Sequence, residues 1–198
     1  IVTTLHTILK NPDTDQRKVL EEVTALSDRL VVMSERGSDF LQNIYNVSSE
    51  KIDLIPHGIP DVPFVDPSFN KDLFGVEGKI VLLSFGLLSP NKGIETVISA
   101  MPKIVEHYPN CVYIIVGATH PNVIKNDGET YRLSLQWLAQ KFGVEGNVIF
   151  YNRFVSSEEL VEFISAADIY ITPYLNEAQI TSGTLAYTIG AGKAIIST

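Results

Sequence analysis

The chain has 198 residues, 45% apolar and 19% charged, a balance that excludes a disordered polyelectrolyte and can fill one or two buried cores. Its net charge of −8 excludes a bulk basic footprint for nucleic acid or anionic lipid. A lone cysteine, Cys111, excludes an intrachain disulfide framework and any multi-cysteine zinc site, and fits a reducing, cytoplasmic compartment.

In chain order, Ile1 to Leu5 reads as a strand, and Asp13-Thr14-Asp15-Gln16 as a capping-box start to a helix that ends near Ser27. Leu30 to Met33 is a strand, Ser38 to Tyr45 a helix and Lys51 to Ile55 a strand. Pro60, Pro63 and Pro67 then interrupt the pattern, because proline fixes φ and lacks a donor. This places a connector over 59–71, between a first domain at 1–58 and a second at 72–198. The rhythm restarts at Lys79 to Phe85, a continuous apolar run suited to a parallel strand covered on both faces. Ile94, Val97, Ile98, Met101, Ile104 and Val105 recur at helical spacing, with Pro102 expected to kink that helix. Cys111 to Val116 is a strand, Thr130 to Lys141 a helix and Asn147 to Tyr151 a strand. Ser156 to Glu159 caps a helix reaching Ala166, followed by a strand over 168–172, a helix over 184–191 and a last strand. Alternating strands and helices predict an α/β fold with doubly wound parallel sheets. A core-type strand at each end predicts that this is a piece of a longer protein.

Ligands of such sheets bind beyond the carboxyl ends of the strands, so the residues just after each strand carry the candidates. Ser84-Phe85-Gly86 followed by Asn91-Lys92-Gly93 sets a lysine between a strand end and a helix start, where a phosphate meets backbone N–H groups and an ammonium. A solvated lysine in an ordinary turn is the competing reading. Gly117 follows the next strand, and Arg153-Phe154 the one after it. Glu177 stands near the cleft mouth, with a plain surface carboxylate as the alternative. Thr181-Ser182-Gly183-Thr184 offers hydroxyl and backbone donors at a helix start, or simply a cap. His6 ends the first strand and can hydrogen-bond a sugar hydroxyl or a developing charge, with a structural or merely exposed histidine as the competing reading, while His57 in a Pro-His-Gly turn shapes the connector. His107 and His120 share no metal-ligand spacing, so no metal site is predicted.

In their order and spacing these segments resemble the retaining glycosyltransferases of family 4, of GT-B architecture. The resemblance is carried by Val2-Thr3-Thr4-Leu5-His6-Thr7, Ile55-Pro56-His57-Gly58-Ile59, Phe85 to Gly93, Asn147 to Phe150, Ala167 to Pro173 and Gly190 to Ile196. It implies two Rossmann-like domains, both incomplete in this chain: the end of an acceptor-side domain and most of a nucleotide-sugar-binding domain. By the same resemblance His6, Lys92 and Glu177 are the catalytic candidates. Gly86, Gly117, Arg153, Phe154, Ser182, Gly183, Thr184 and Tyr187 are the donor-binding ones. Two positions depart from the pattern: Leu87 stands where the family carries an arginine, and Tyr187 where it carries a second glutamate.

The implied activity is metal-independent transfer of a hexose from a nucleoside-diphosphate sugar to a hydroxyl, with retention and without a resident cofactor. The acceptor is a glycan, a lipid or a small molecule. No nucleic-acid partner is expected, and peripheral membrane contact is left to regions outside this chain. The rival readings are a catalytically silent donor-binding or scaffolding subunit and a GT-B-like epimerase or phosphorylase.

Overall fold

The computed structural model describes residues 1–175 and 181–198. They divide into two compact units, one of residues 1–59 with 181–186 and one of 60–175 with 187–198.

In the first unit three parallel strands, β1 (Val2–Leu5), β2 (Arg29–Val32) and β3 (Ile52–Leu54), lie in sequence order. Helix α1 (Thr14–Leu26) starts on a complete capping box, with the Asp13 side chain accepting from Gln16 N–H and the Gln16 side chain from Asp13 N–H. Helix α2 spans Glu35–Tyr45 and begins three residues before the expected Ser38. The Ser34 hydroxyl accepts the Gly37 N–H at 3.2 Å and so sets the earlier start. Leu5, Ile8, Leu30, Val32, Leu41 and Tyr45 close the core between sheet and helices. The strand expected over 51–55 is shorter, because Ser49–Lys51 forms a 3-10 turn before it.

In the second unit a five-stranded parallel sheet runs in the order β6-β5-β4-β7-β8. Its strands are β4 (Ile80–Phe85), β5 (Cys111–Val116), β6 (Val148–Tyr151), β7 (Ile169–Thr172) and β8 (Ala194–Ser197). All six residues of β5 are buried, as a continuous apolar run between two helical layers requires. The helices are α3 (Ile94–His107), α4 (Pro121–Asp127), α5 (Thr130–Lys141) and α6 (Ser157–Ala166), and α7 (Gly183–Gly190) has its first four residues in the first unit and its last four in the second. Helix α3 continues as one element through Pro102. Helix α4 was not expected from the sequence; His120 caps it by accepting the Asn122 N–H at 3.2 Å. Strand order reverses between β4 and β7, and this switch point opens a crevice at the carboxyl ends of the strands.

The proline-rich segment is tied down at its end. Lys71 is 8% exposed and its ammonium meets both Asp168 oxygens, at 2.7 and 3.0 Å, and the Lys79 carbonyl at 2.7 Å. The Phe74 ring stacks on Phe163 with centroids 4.1 Å apart. The connector therefore finishes as part of the second core. No helix among the described residues is long and apolar enough to cross a membrane.

Candidate functional site

Three loops of the second unit meet at the switch point. The loop after β4 carries Gly86, Leu87 and Lys92; the loop after β5 carries Gly117 to His120; the loop after β7 carries Pro173 to Leu175. Backbone contacts join the first two. Gly86 N–H donates to Val116 O at 3.0 Å, Leu88 N–H to Ala118 O at 2.9 Å and His120 N–H to Leu88 O at 2.8 Å. Gly117 has φ +149°, and a Cβ there would lie 1.9 Å from Gly86 O, so only glycine permits this approach. The β5 loop is also held from behind. Thr119 Oγ1 donates to Glu129 at 2.5 Å and Arg132 Nε to the same oxygen at 2.9 Å. These bonds, the Thr119 one foremost, hold the Glu129 carboxyl below its ordinary value.

The third loop joins the first at Gly93. Leu175 N–H donates to Asn91 O at 3.0 Å, and a Cβ on Gly93 (φ +62°) would lie 2.0 Å from Pro173 O. Pro90–Lys92 is a 3-10 turn leading through Gly93 into α3, so Lys92 stands at the amino end of a 14-residue helix. The first turn of such a helix leaves N–H groups without intrahelical acceptors, and its dipole favours an anion. Glu95, the acidic residue of that turn, accepts the Tyr131 hydroxyl at 3.0 Å.

Beside this end lies a cleft of about 100 Å³ whose walls include Gly86, Leu87, Gly117, Ala118, Arg153 and Phe154. Leu87 makes its wall apolar at the position where the resemblance led one to look for arginine. Phe154 is 81% exposed at the rim, the placement of a ring with one face open to a planar partner. Arg153 pairs with Glu159 through both terminal guanidinium nitrogens, which leaves it a small share of its charge for an anion. That pairing raises the Arg153 pKa and lowers that of Glu159. A smaller crevice at the switch point is lined by Phe85, Gly86, Lys92, Pro173 and Tyr174.

Lys92, Gly86, Gly117, Arg153 and Phe154 thus come together in one unit. His6 is exposed just past β1 in the first unit. At the start of α7, Ser182 Oγ accepts the Leu185 N–H at 3.3 Å and lies 3.0 Å from Thr184 Oγ1, so that hydroxyl is used as a cap. Gly183 faces the His57 ring, whose Nε2 would stand 2.8 Å from a Cβ. Tyr187 is half-buried in α7. Glu177 lies outside the described residues. The sequence reading missed Tyr174, whose ring lies under the Lys92 ammonium, and the Glu129–Thr119 bond; neither spacing nor motif signals such tertiary pairs. A larger depression of about 450 Å³ in the first unit is walled by Leu5, Leu9, Val19 and Val23, and no cation lines it. Among the described residues there is no group of three His, Cys, Asp or Glu side chains arranged to hold a metal ion.

Residues 67–179, more than half of the chain, match the family described as glycosyl transferases group 1. The chain belongs to this family. Two curated relatives span most of this group 1 glycosyltransferase chain. The D-inositol 3-phosphate glycosyltransferase of Segniliparus rotundus is 25% identical over 192 residues, covering 90% of this chain and 41% of that protein. An uncharacterized glycosyltransferase of Methanocaldococcus jannaschii is 26% identical over 174 residues, 82% of this chain and 42% of that protein. The chain therefore spans less than half the length of these relatives. Among solved structures, Anabaena HepE in complex with UDP matches with a TM-score of 0.79 at 19% identity, over 99% of this chain and 52% of that one. The fold of this group 1 glycosyltransferase chain is that of the GT-B proteins, with two Rossmann-like parallel sheets.

Proposed function

We propose that this chain carries the donor-binding half of a retaining glycosyltransferase that moves a hexose from a nucleoside-diphosphate sugar to a hydroxyl acceptor. One observation carries the reading: Lys92 stands at the amino end of α3, on the switch point of the sheet, in a crevice that shares Phe85 and Gly86 with the cleft lined by Gly86 and Gly117. The cleft is narrow and apolar enough for a nucleobase, and the helix end beside it suits a diphosphate. Relatives in fold support a nucleotide-sugar donor, since HepE was solved with UDP and with UDP-glucose.

The chemistry follows from charge. Breaking the anomeric bond leaves a cationic sugar and puts negative charge on the departing diphosphate. Lys92 and the α3 N–H groups oppose that charge without reorganising, so the reading needs no divalent metal and no resident cofactor. Gly86 and Gly117 let the base approach the backbone closely, and Phe154 and Arg153 border it. The resemblance assigns His6 and Glu177 to the transferred sugar, and Ser182, Gly183, Thr184 and Tyr187 to the phosphate and ribose. The acceptor is a glycan, a lipid or a small molecule.

The test is incubation of the full-length protein with UDP-glucose, GDP-mannose and ADP-glucose in EDTA. Proton NMR follows release of the nucleotide and the configuration of the sugar product. Release in EDTA with an initially α product supports the reading; release that requires metal, or a β product, contradicts it. The apolar Leu87 and the tyrosine at 187 favour a second reading, a silent donor-binding subunit, which donor binding without any turnover would establish.

A further inference from the structure

Lys92 is not a free-swinging surface lysine. Its ammonium stands 3.8 Å from the centroid of the Tyr174 ring. Tyr174 is the second residue after β7, and its backbone is held on both sides. Thr198 Oγ1 donates to Tyr174 O at 2.8 Å, and the next N–H, that of Leu175, donates to Asn91 O at 3.0 Å. Gly93 packs on Pro173 O on the other flank of the same contact. The ring is therefore fixed by the two loops that form the switch point, and the ammonium is fixed by the ring.

We propose that Tyr174 is a positioning residue for Lys92: its ring face holds the ammonium at the amino end of α3, aimed at the anionic part of the donor. The proposal rests on the donor-site reading above. An aromatic face attracts a cation through its quadrupole and needs no hydroxyl to do so. A lysine on bare solvent-facing backbone spreads over many rotamers, and a bound diphosphate must then collect it at an entropic cost. Tyr174 removes part of that cost before the donor arrives. The ring is neutral, so the contact holds the ammonium without cancelling its positive charge, which an ion pair to a carboxylate would do.

Three properties separate this role from simple packing. The phenyl ring suffices, so Tyr174→Phe keeps the affinity of wild type. An aliphatic side chain of similar size does not, so Tyr174→Leu weakens nucleotide binding by about three- to tenfold, the range of a partly exposed cation–π contact. The effect acts through Lys92, so Tyr174→Leu adds nothing in a Lys92→Ala background.

The experiment is calorimetric titration of the full-length protein and these four variants with UDP, GDP and ADP in EDTA. The Lys92 ε-methylene proton shift is measured alongside it by NMR in unliganded wild type. The expected result is an upfield ring-current shift of those protons, rescue by phenylalanine, loss with leucine, and no additivity with Lys92→Ala. If Lys92→Ala binds all three nucleotides as wild type does, or wild type binds none, the donor-site reading fails and this proposal with it. If Lys92→Ala loses affinity while Tyr174→Leu keeps it, or loses as much again in the Lys92→Ala background, the positioning role alone is overturned. Should the leucine variant fail to fold, an unshifted ε-methylene signal in wild type still refutes the contact.

Discussion

Lys71→Met is the sharpest stability test of the second unit. The substitution keeps the aliphatic stem and deletes the ammonium, which sits 2.7 Å from Asp168 Oδ2 and 2.7 Å from the Lys79 carbonyl. It strands that carbonyl and leaves the Asp168 carboxylate with the Val81 N–H, at 2.7 Å, as its remaining strong donor. Breaking a fully buried pair from one side costs about 3–5 kcal/mol. Here the Lys71 side chain is 10% exposed but that of Asp168 is 31% exposed, so water recovers part of the loss. We expect about 2 kcal/mol, or a Tm lower by about 4–8 °C for a domain of this size. Urea unfolding followed by circular dichroism on the full-length protein measures it. Asp168→Asn in the Lys71→Met background should restore most of the loss, because a neutral amide still accepts from Val81 and needs no counter-ion. A Lys71→Met variant as stable as wild type, or a double variant no better than the single one, would refute the reasoning.

Gly117→Ala places a methyl group against Gly86 O at a φ of +149° and should cost about 3 kcal/mol in urea unfolding while weakening nucleotide binding more than tenfold; retention of both would show that the loops can part freely. Tyr113→Phe removes a buried hydroxyl that donates to Ser84 Oγ at 2.8 Å, and should cost about 1 kcal/mol, because Ser84 still donates to Ile171 O. Glu129 has a folded-state pKa below the ordinary 4.5, so its contribution is full above that value and fades as pH falls through the lowered one. Glu129→Gln should flatten that part of the acid limb of a Tm–pH profile; superimposable profiles would contradict the carboxylate's role.

Much of this fold was legible because its local signals agree with its tertiary ones. The run Ile80 to Phe85 is apolar but for Ser84 and the run Cys111 to Val116 is apolar throughout, the pattern of a strand covered on both faces, and both lie inside the sheet. Asp13 with Gln16, and Ser156 with Glu159, mark helix starts that the structure keeps. The start of α2 was obscured by Gly37 in its first turn, since glycine argues against helix where Ser34 argues for a cap. Helix α4 is seven residues long and capped by histidine, too short for a periodic signal and outside the usual capping set.

The candidate site was legible by position rather than by partner. The rule that ligands gather beyond strand ends found Gly86, Lys92, Gly117 and Arg153. It says nothing of what each side chain touches. Arg153 reads in sequence as a donor-binding candidate beyond a strand end, and its side chain meets Glu159, from the first turn of α6, through both terminal guanidinium nitrogens. Tyr174 reads as an ordinary residue after a strand, and acquires meaning when β7 and β4 lie side by side.

The most direct measurement is isothermal titration of the full-length protein with UDP, GDP and ADP in EDTA, beside the Lys92→Ala variant. The account predicts tight binding of one nucleotide without metal and a loss of at least about tenfold in the variant, the usual scale for a charge-assisted phosphate contact. Equal binding by wild type and variant, or no binding of any nucleotide by the folded protein, would contradict it.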